Sequence, residues 1–277
     1  MTTMPITPAI DERLRDVLAG GDRPAPPGAP SAAITLGWRA LLKIKHVPEQ
    51  LFDVIMFPIM VTVVFTYLLG GALAGSPREY AQYLIPGILV QTVVLTTMYT
   101  GVALCTDITQ GVFDRFRSMP IWRPAPLVGA LLGDAIRYST AAVMVIGVGL
   151  LLGFRPAAGV PGVFWAVLLL LAFAFSVAWI WTTLGLLLRT PASVMNMSLV
   201  VLTPLTFASN IFVDPQTMPG WLQAIVNVNP VSHLVTAVRG AMAGTVTTGQ
   251  VGAVLVACVA LIAIFAPLTM YLYANRE

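Results

Sequence analysis

The chain has 277 residues, of which 57% are hydrophobic and 10% charged, with a net charge of +3 and a mean hydropathy of +0.85. Soluble domains carry about a quarter charged residues, so this composition excludes an ordinary water-soluble protein and predicts an integral membrane protein. The basic balance does not point to nucleic acid, because the cations gather in the N-terminal tail and the loops, where membrane topology places them.

Residues 1–30 hold Asp11, Glu12 and Asp16 and then a PAPPGAP run ending at Pro30. They predict a disordered cytoplasmic tail; with no apolar h-region, they do not read as a cleaved signal peptide. Residues 31–47 predict an amphipathic helix lying in the cytoplasmic interface. Ile34, Trp38, Leu41 and Leu42 share one face, Arg39, Lys43 and His46 line another, and Ser31 can cap the start.

Six apolar stretches follow, each near the roughly 20 residues a bilayer-crossing helix needs: 51–73, 84–106, 127–152, 163–188, 194–213 and 251–273. Breakers divide them, among them Ser76-Pro77, Pro124, Pro126, Phe154-Arg155-Pro156, Pro161-Gly162 and Thr190-Pro191. Long continuous runs exclude the short alternating segments of a β-barrel. With the N-terminus inside, the inner side holds Arg13, Arg15, Arg23, Arg39, Lys43, Lys45, Arg115, Arg117, Arg123, Arg189 and Arg276. The outer side then holds only Arg78, Arg155 and Arg239. The positive-inside rule therefore predicts that both termini are cytoplasmic.

Between the second and third stretches lies GVFDRFRSMP, residues 111–120, a charged run that must face water on the cytoplasmic side. A loop of this kind is where a soluble partner would push. Asp134 and Arg137 sit at i, i+3 within the third stretch, close enough to pair on one helical face. Two readings of this intramembrane polar pair stand: a gate or polar patch on a transport route, or an ion pair that fixes helix packing. From Asp214 to Gln250 the chain is semi-apolar, which predicts two short amphipathic helices broken at Asn229-Pro230 and dipping back into the outer leaflet. His233 within it reads as a structural residue.

Other chemistries find no residues. The only lysines, Lys43 and Lys45, follow no G-x-x-x-x-G, so no Walker A loop binds ATP here. Two histidines are too few for a multi-histidine metal centre, and nothing in the sequence brings Ser232, His233 and Asp214 together as a triad. Cys105 and Cys258 support neither a disulfide framework nor a metal site. No internal repeat or series of membrane-depth carboxylates supports a stand-alone secondary transporter.

The order of these features, with GVFDRFRSMPIWR (Gly111–Arg123) and NPVSHLVTAVRG (Asn229–Gly240), resembles ABC-2 type transporter permeases of the daunorubicin/doxorubicin-resistance kind over Ser31 to Tyr273. The resemblance implies an all-α integral membrane fold: six transmembrane helices, an N-terminal interface helix, a cytoplasmic coupling helix and a re-entrant-like segment before the last span. It implies a half-transporter in the plasma (inner) membrane, two copies of which associate with two copies of a separate ABC ATPase that binds ATP and Mg. This chain would itself carry no catalytic site and no cofactor. Gly111, Phe113, Asp114, Arg115, Phe116 and Arg117 would contact the ATPase; many relatives have an acidic residue where this chain has Gln110. Spans one, two and five would line the route of a hydrophobic or amphipathic cargo, a drug or antibiotic, with complex lipid or polysaccharide as the alternative.

Overall fold

The computed structural model describes residues 48–112 and 125–275, and these are helical, with no strand among them. The tail expected over residues 1–30 and the interface helix expected over 31–47 lie outside the described residues. In chain order the helices are α1 (Pro48–Ala74), α2 (Pro77–Thr96), α3 (Met98–Thr109), α4 (Ala125–Leu151), α5 (Gly159–Leu187) and α6 (Pro191–Phe207). A 3-10 turn (Pro215–Thr217) then precedes α7 (Gly220–Val228), α8 (Pro230–Ala243) and α9 (Thr248–Asn275).

One local device starts three of these helices. Ser76 before Pro77, Thr190 before Pro191 and Asn229 before Pro230 each accept a hydrogen bond from an early helix N–H, at 3.2, 3.2 and 2.9 Å. The cap satisfies a donor that has no partner inside the helix, and the proline supplies a preset φ where its missing N–H costs nothing.

Four helices are long and apolar enough to cross a membrane: Pro77–Thr109, Gly133–Leu151, Gly159–Leu187 and Thr248–Tyr273; Met56–Leu68 and Pro191–Phe207 are shorter apolar helices. The chain is therefore an integral membrane protein. The stretch Pro77–Thr109 joins α2 and α3 through one tightened turn, in which the Thr100 N–H donates to the Thr97 carbonyl at 3.1 Å. It is the centre of the bundle. Its apolar window is 72% buried, whereas that of α9 is 11% buried although α9 is the more hydropathic helix. Leu84, Ile85, Ile88 and Leu89 of α2 meet Tyr138 of α4, Leu170, Phe173 and Trp181 of α5 and Leu234 of α8 in one core.

Short connections at 75–76, 152–158 and 188–190 turn successive long helices back through the bundle and so define two ends. One end carries the Pro77 start of α2 and the stretch 208–247; the other carries Thr109, Leu187 and Pro191. On α3 and α5 the backbones touch. A Cβ placed on Gly185 would lie 2.6 Å from the Gly101 carbonyl oxygen, and one placed on Gly101 would collide with the Trp181 carbonyl.

The fifth apolar stretch continues to Val213 in sequence, but its helix stops at Phe207, with Ala208 at φ −83°, ψ 47°. Residues 208–213 run on as irregular, mostly buried backbone. Their carbonyls are taken by side chains. Tyr80 Oη donates to Phe212 O (2.9 Å) and Tyr83 Oη to Asn210 O (3.0 Å), while Asn229 Nδ2 donates to both Leu205 O and Ala208 O (2.7 Å each). Arg239 closes the set: Nε donates to Tyr83 O (3.0 Å), Nη1 to Asn210 O and Nη2 to Ile211 O (2.9 Å each). Its Cζ lies 3.6 Å from the centroid of the Tyr83 ring. Arg239, counted from the sequence among the outer-side charges, is thus the tie that lets non-helical backbone sit inside the fold.

Candidate functional site: an apolar cavity beside a buried ion pair

A half-open cavity of about 250 Å³ lies between α1, the α2–α3 junction and α6. Phe57 and Pro58 come from α1, Thr92, Leu95 and Thr96 from α2, Met98 and Tyr99 from α3, and Met195 and Leu199 from α6. The lining is mostly apolar side chains, and the Thr96 hydroxyl is turned to its own helix, donating to Thr92 O at 2.7 Å. Phe57 and Pro58 lie toward the Pro48 start of α1 and Met195 close to the Pro191 start of α6, so the cavity lies nearer the Thr109 end of the bundle.

The turn at Thr97 is held from both sides. Its hydroxyl donates to Val94 O (2.6 Å) and accepts from Trp181 Nε1 (2.7 Å), which fixes the junction against α5. One turn on, Thr100 fixes it against α4. Thr100 Oγ1 donates to Asp134 Oδ2 and lies 2.9 Å from Tyr138 Oη. A hydroxyl has one proton, so Tyr138 donates to Thr100, Thr100 donates to Asp134, and the chain ends on the carboxylate. Arg137 Nη2 donates to the other carboxylate oxygen as an i, i+3 ion pair. The side chains of Asp134 and Arg137 are 3% and 10% exposed, which makes this a desolvated pair rather than a surface one. The Arg137 Cζ stands 5.9 Å from the centroid of the Tyr99 ring, and Tyr99 lines the cavity. Arg137 Nε and Nη1 are buried with no hydrogen-bond acceptor among the described residues.

The structure thus brings Asp134 and Arg137 together and adds Thr100, Tyr138 and Tyr99 to them. Of the loop residues, Gly111 is described. It follows α3 at φ +69°, a left-handed conformation that glycine adopts without strain, and its N–H donates to Ile108 O at 3.0 Å. Phe113, Asp114, Arg115, Phe116 and Arg117 lie outside the described residues. Of the large apolar residues in the spans, Phe57, Met98 and Tyr99 line the cavity, whereas Trp181 packs in the core and Met56 and Phe207 are exposed. Thr100 and Tyr138 escape sequence reading because 34 and 38 residues separate the partners; a hydroxyl one helical turn below a threonine pair is the one weak signal.

Residues 31–243 match the ABC-2 type transporter family. The chain belongs to that family. It is 51% identical to the daunorubicin resistance ABC transporter permease protein DrrB1 of Streptomyces coeruleorubidus, over 100% of this chain and 99% of that protein. It is 27% identical to the probable doxorubicin resistance ABC transporter permease protein DrrC of Mycobacterium tuberculosis, over 82% of this chain and 85% of that one. The inner membrane transport permease YadH of Escherichia coli is 25% identical over 66% of this chain and 73% of its own length. As an ABC-2 permease the chain is a membrane transport subunit.

Proposed function

We propose that this ABC-2 permease is the membrane half of an ATP-driven exporter that moves an amphipathic, drug-like molecule out across the plasma membrane. The observation that carries the reading is full-length similarity, at 51% identity, to a permease named for daunorubicin resistance. The apolar cavity between α1, α2–α3 and α6 supports it, because a hydrophobic cargo needs such a lining where a sugar polymer would need more polar groups.

In this reading α1, α2–α3, α4, α5, α6 and α9 are six spans with both termini cytoplasmic. The excess of arginine and lysine at the Thr109 end supports that orientation. At 17 residues α6 is only about 25 Å long, short of a hydrocarbon core of about 30 Å. The tied backbone of 208–213 makes up the rest, and α7 and α8 re-enter the outer leaflet beside it, where irregular backbone is tolerated when protein covers its polar groups. Gly111, Phe113, Asp114, Arg115, Phe116 and Arg117 form the coupling segment on a separate ABC ATPase, which holds ATP and Mg. Phe113 and Phe116 anchor in a pocket of that partner and the charges fix orientation. A second copy of the chain packs against the exposed apolar faces of α1 (Met56, Met60, Val64) and α6 (Met197, Val200), leaving the cavity to open between the two.

Co-expression with the ATPase, followed by ATP-dependent uptake of a fluorescent anthracycline into inverted membrane vesicles, tests the reading. Asp114→Ala combined with Arg115→Ala is expected to abolish uptake while leaving membrane insertion intact. Normal uptake and normal co-purification of the ATPase in that variant would overturn the coupling assignment, and wild-type vesicles with no ATP-dependent uptake would overturn the drug-export reading.

A further inference from the structure

We propose that the Pro77 end of the bundle carries a binding site for an anionic phospholipid, in which Arg78 and Arg155 hold the headgroup phosphate. The lipid is a resident partner of the protein and not its cargo, so the inference stands apart from the export reading above.

The charged residues described at this end are Arg78, Glu79, Arg155, Asp214 and Arg239. Three of them are already engaged. Arg239 donates to backbone carbonyls inside the fold. Asp214 caps the 3-10 turn, accepting from the Gln216 N–H at 2.9 Å. Glu79 belongs to the Ser76 cap of α2, and its carboxylate faces Gly75, 3.9 Å from where a Cβ on that residue would stand. Arg78 and Arg155 remain. Both are exposed, and neither meets a carboxylate among the described residues.

Far apart in sequence, the two arginines converge on the connection between α4 and α5. Arg78 lies along Gly153, where an added Cβ would stand 3.5 Å from Arg78 Cγ and 3.6 Å from its Nε. Gly153 has φ +95°, a conformation that favours glycine, and so keeps that space open. One turn further along α2, Gln82 clips the same connection. Its Nε2 donates to Gly153 O at 2.9 Å, and its Oε1 accepts from the Arg155 N–H at 3.1 Å. Arg155 folds back on the end of α4, its Nη1 donating to Leu150 O and Phe154 O at 2.9 Å each. Both side chains are thus seated on residues 150–154, with Arg155 Nε and Nη2 making no hydrogen bond among the described residues.

The surroundings decide the ligand. Leu151, Val160, Phe164 and Trp165 flank the connection and are all exposed, Leu151 by 88%. An apolar, aromatic girdle of this kind meets acyl chains at the level where headgroups begin. A phospholipid lays its chains on that girdle and brings its phosphate to the arginines, which a soluble anion cannot do. Arginine suits the task, because its planar fork takes phosphate oxygens in pairs. Two cations with no carboxylate beside them favour phosphatidylglycerol, with its net negative charge, over phosphatidylcholine, whose choline adds another positive one.

The test puts the photo-crosslinker p-benzoylphenylalanine in place of Leu151 in the full-length permease. The protein is reconstituted in vesicles of equal parts phosphatidylglycerol and phosphatidylcholine, and the lipid adducts are identified by mass spectrometry. Phosphatidylglycerol adducts are expected to outnumber phosphatidylcholine adducts about fivefold, the scale of two exposed charge contacts. The same probe at Val256, exposed on α9, is expected to report the bulk mixture. Arg78→Gln with Arg155→Gln should bring the Leu151 ratio to the bulk value. Arg78→Gln alone removes no hydrogen bond among the described residues, so the connection stays intact, and the ratio should fall to about twofold. A bulk ratio at Leu151 in the wild type overturns the inference. So does an excess that survives the double substitution or appears equally at Val256. Loss of the excess in millimolar inorganic phosphate overturns it too, by assigning the arginines to a free anion.

Discussion

Two arginines are buried in the described part of this chain, and they are used in opposite ways. Arg239 is saturated: each of its three nitrogens donates to a backbone carbonyl, and the Tyr83 ring covers its face. Among the described residues Arg137 hydrogen-bonds through one nitrogen only, and that bond goes to a carboxylate one helical turn away. The first arginine replaces a missing piece of helix; the second holds one carboxylate and leaves Nε and Nη1 without an acceptor among the described residues. A buried cation that binds several backbone carbonyls ties chain segments together, whereas one bound to a single carboxylate on its own helix forms a local pair.

The comparison predicts a ranking of losses. Arg239→Met should be the most damaging, because three buried hydrogen bonds to backbone carbonyls are lost at once. A cost of at least ~3 kcal/mol is expected, read as loss of the folded fraction during extraction and as a lowered Tm in detergent. Arg239→Lys should recover only part, since one ammonium cannot serve three divergent carbonyls. If Arg239→Met were as stable as the wild type, the irregular segment 208–213 would not depend on it. Arg137→Met alone comes next, at about 2–3 kcal/mol, because Asp134 keeps its burial and loses its counter-ion. Adding Asp134→Asn should then restore stability rather than lower it further, and equal or greater destabilisation in the double variant would contradict the isolated character of the pair. Tyr83→Phe keeps the ring over Arg239 but removes the bond to Asn210 O; about 1 kcal/mol is expected in thermal unfolding. Tyr138→Phe should be mildest, at under about 1 kcal/mol, since Thr100 can still donate to Asp134.

The contrast also explains what could be read before any coordinates. The helical, membrane-embedded character follows from hydropathy and breakers, and the starts of α2, α6 and α8 follow from a capping residue and a proline adjacent in sequence. Asp134 and Arg137 pair through i, i+3 spacing, which is equally local. The end of α6 was hidden. Ser209, Asn210, Ile211 and Phe212 continue an apolar stretch, and what unwinds them is a set of donors supplied by Tyr80, Tyr83, Asn229 and Arg239 from other helices. For the same reason the sequence shows Arg239 only as an outer-side charge: its acceptors are carbonyls, which carry no side-chain signal. Likewise nothing in the spacing announces that Arg137 lies near the ring of Tyr99, which lines the cavity.

The meeting of Gly101 and Gly185 has a mechanical consequence. Where side chains separate two helices, each can give by changing rotamers, so one helix moves without the other. Between α3 and α5 at this point only backbone meets backbone, and no rotamer is available to absorb a displacement. The two helices are therefore pinned as a single strut at that level. If Gly111 belongs to the coupling segment proposed above, a push delivered there, at the end of α3, would be passed to α5 at this contact.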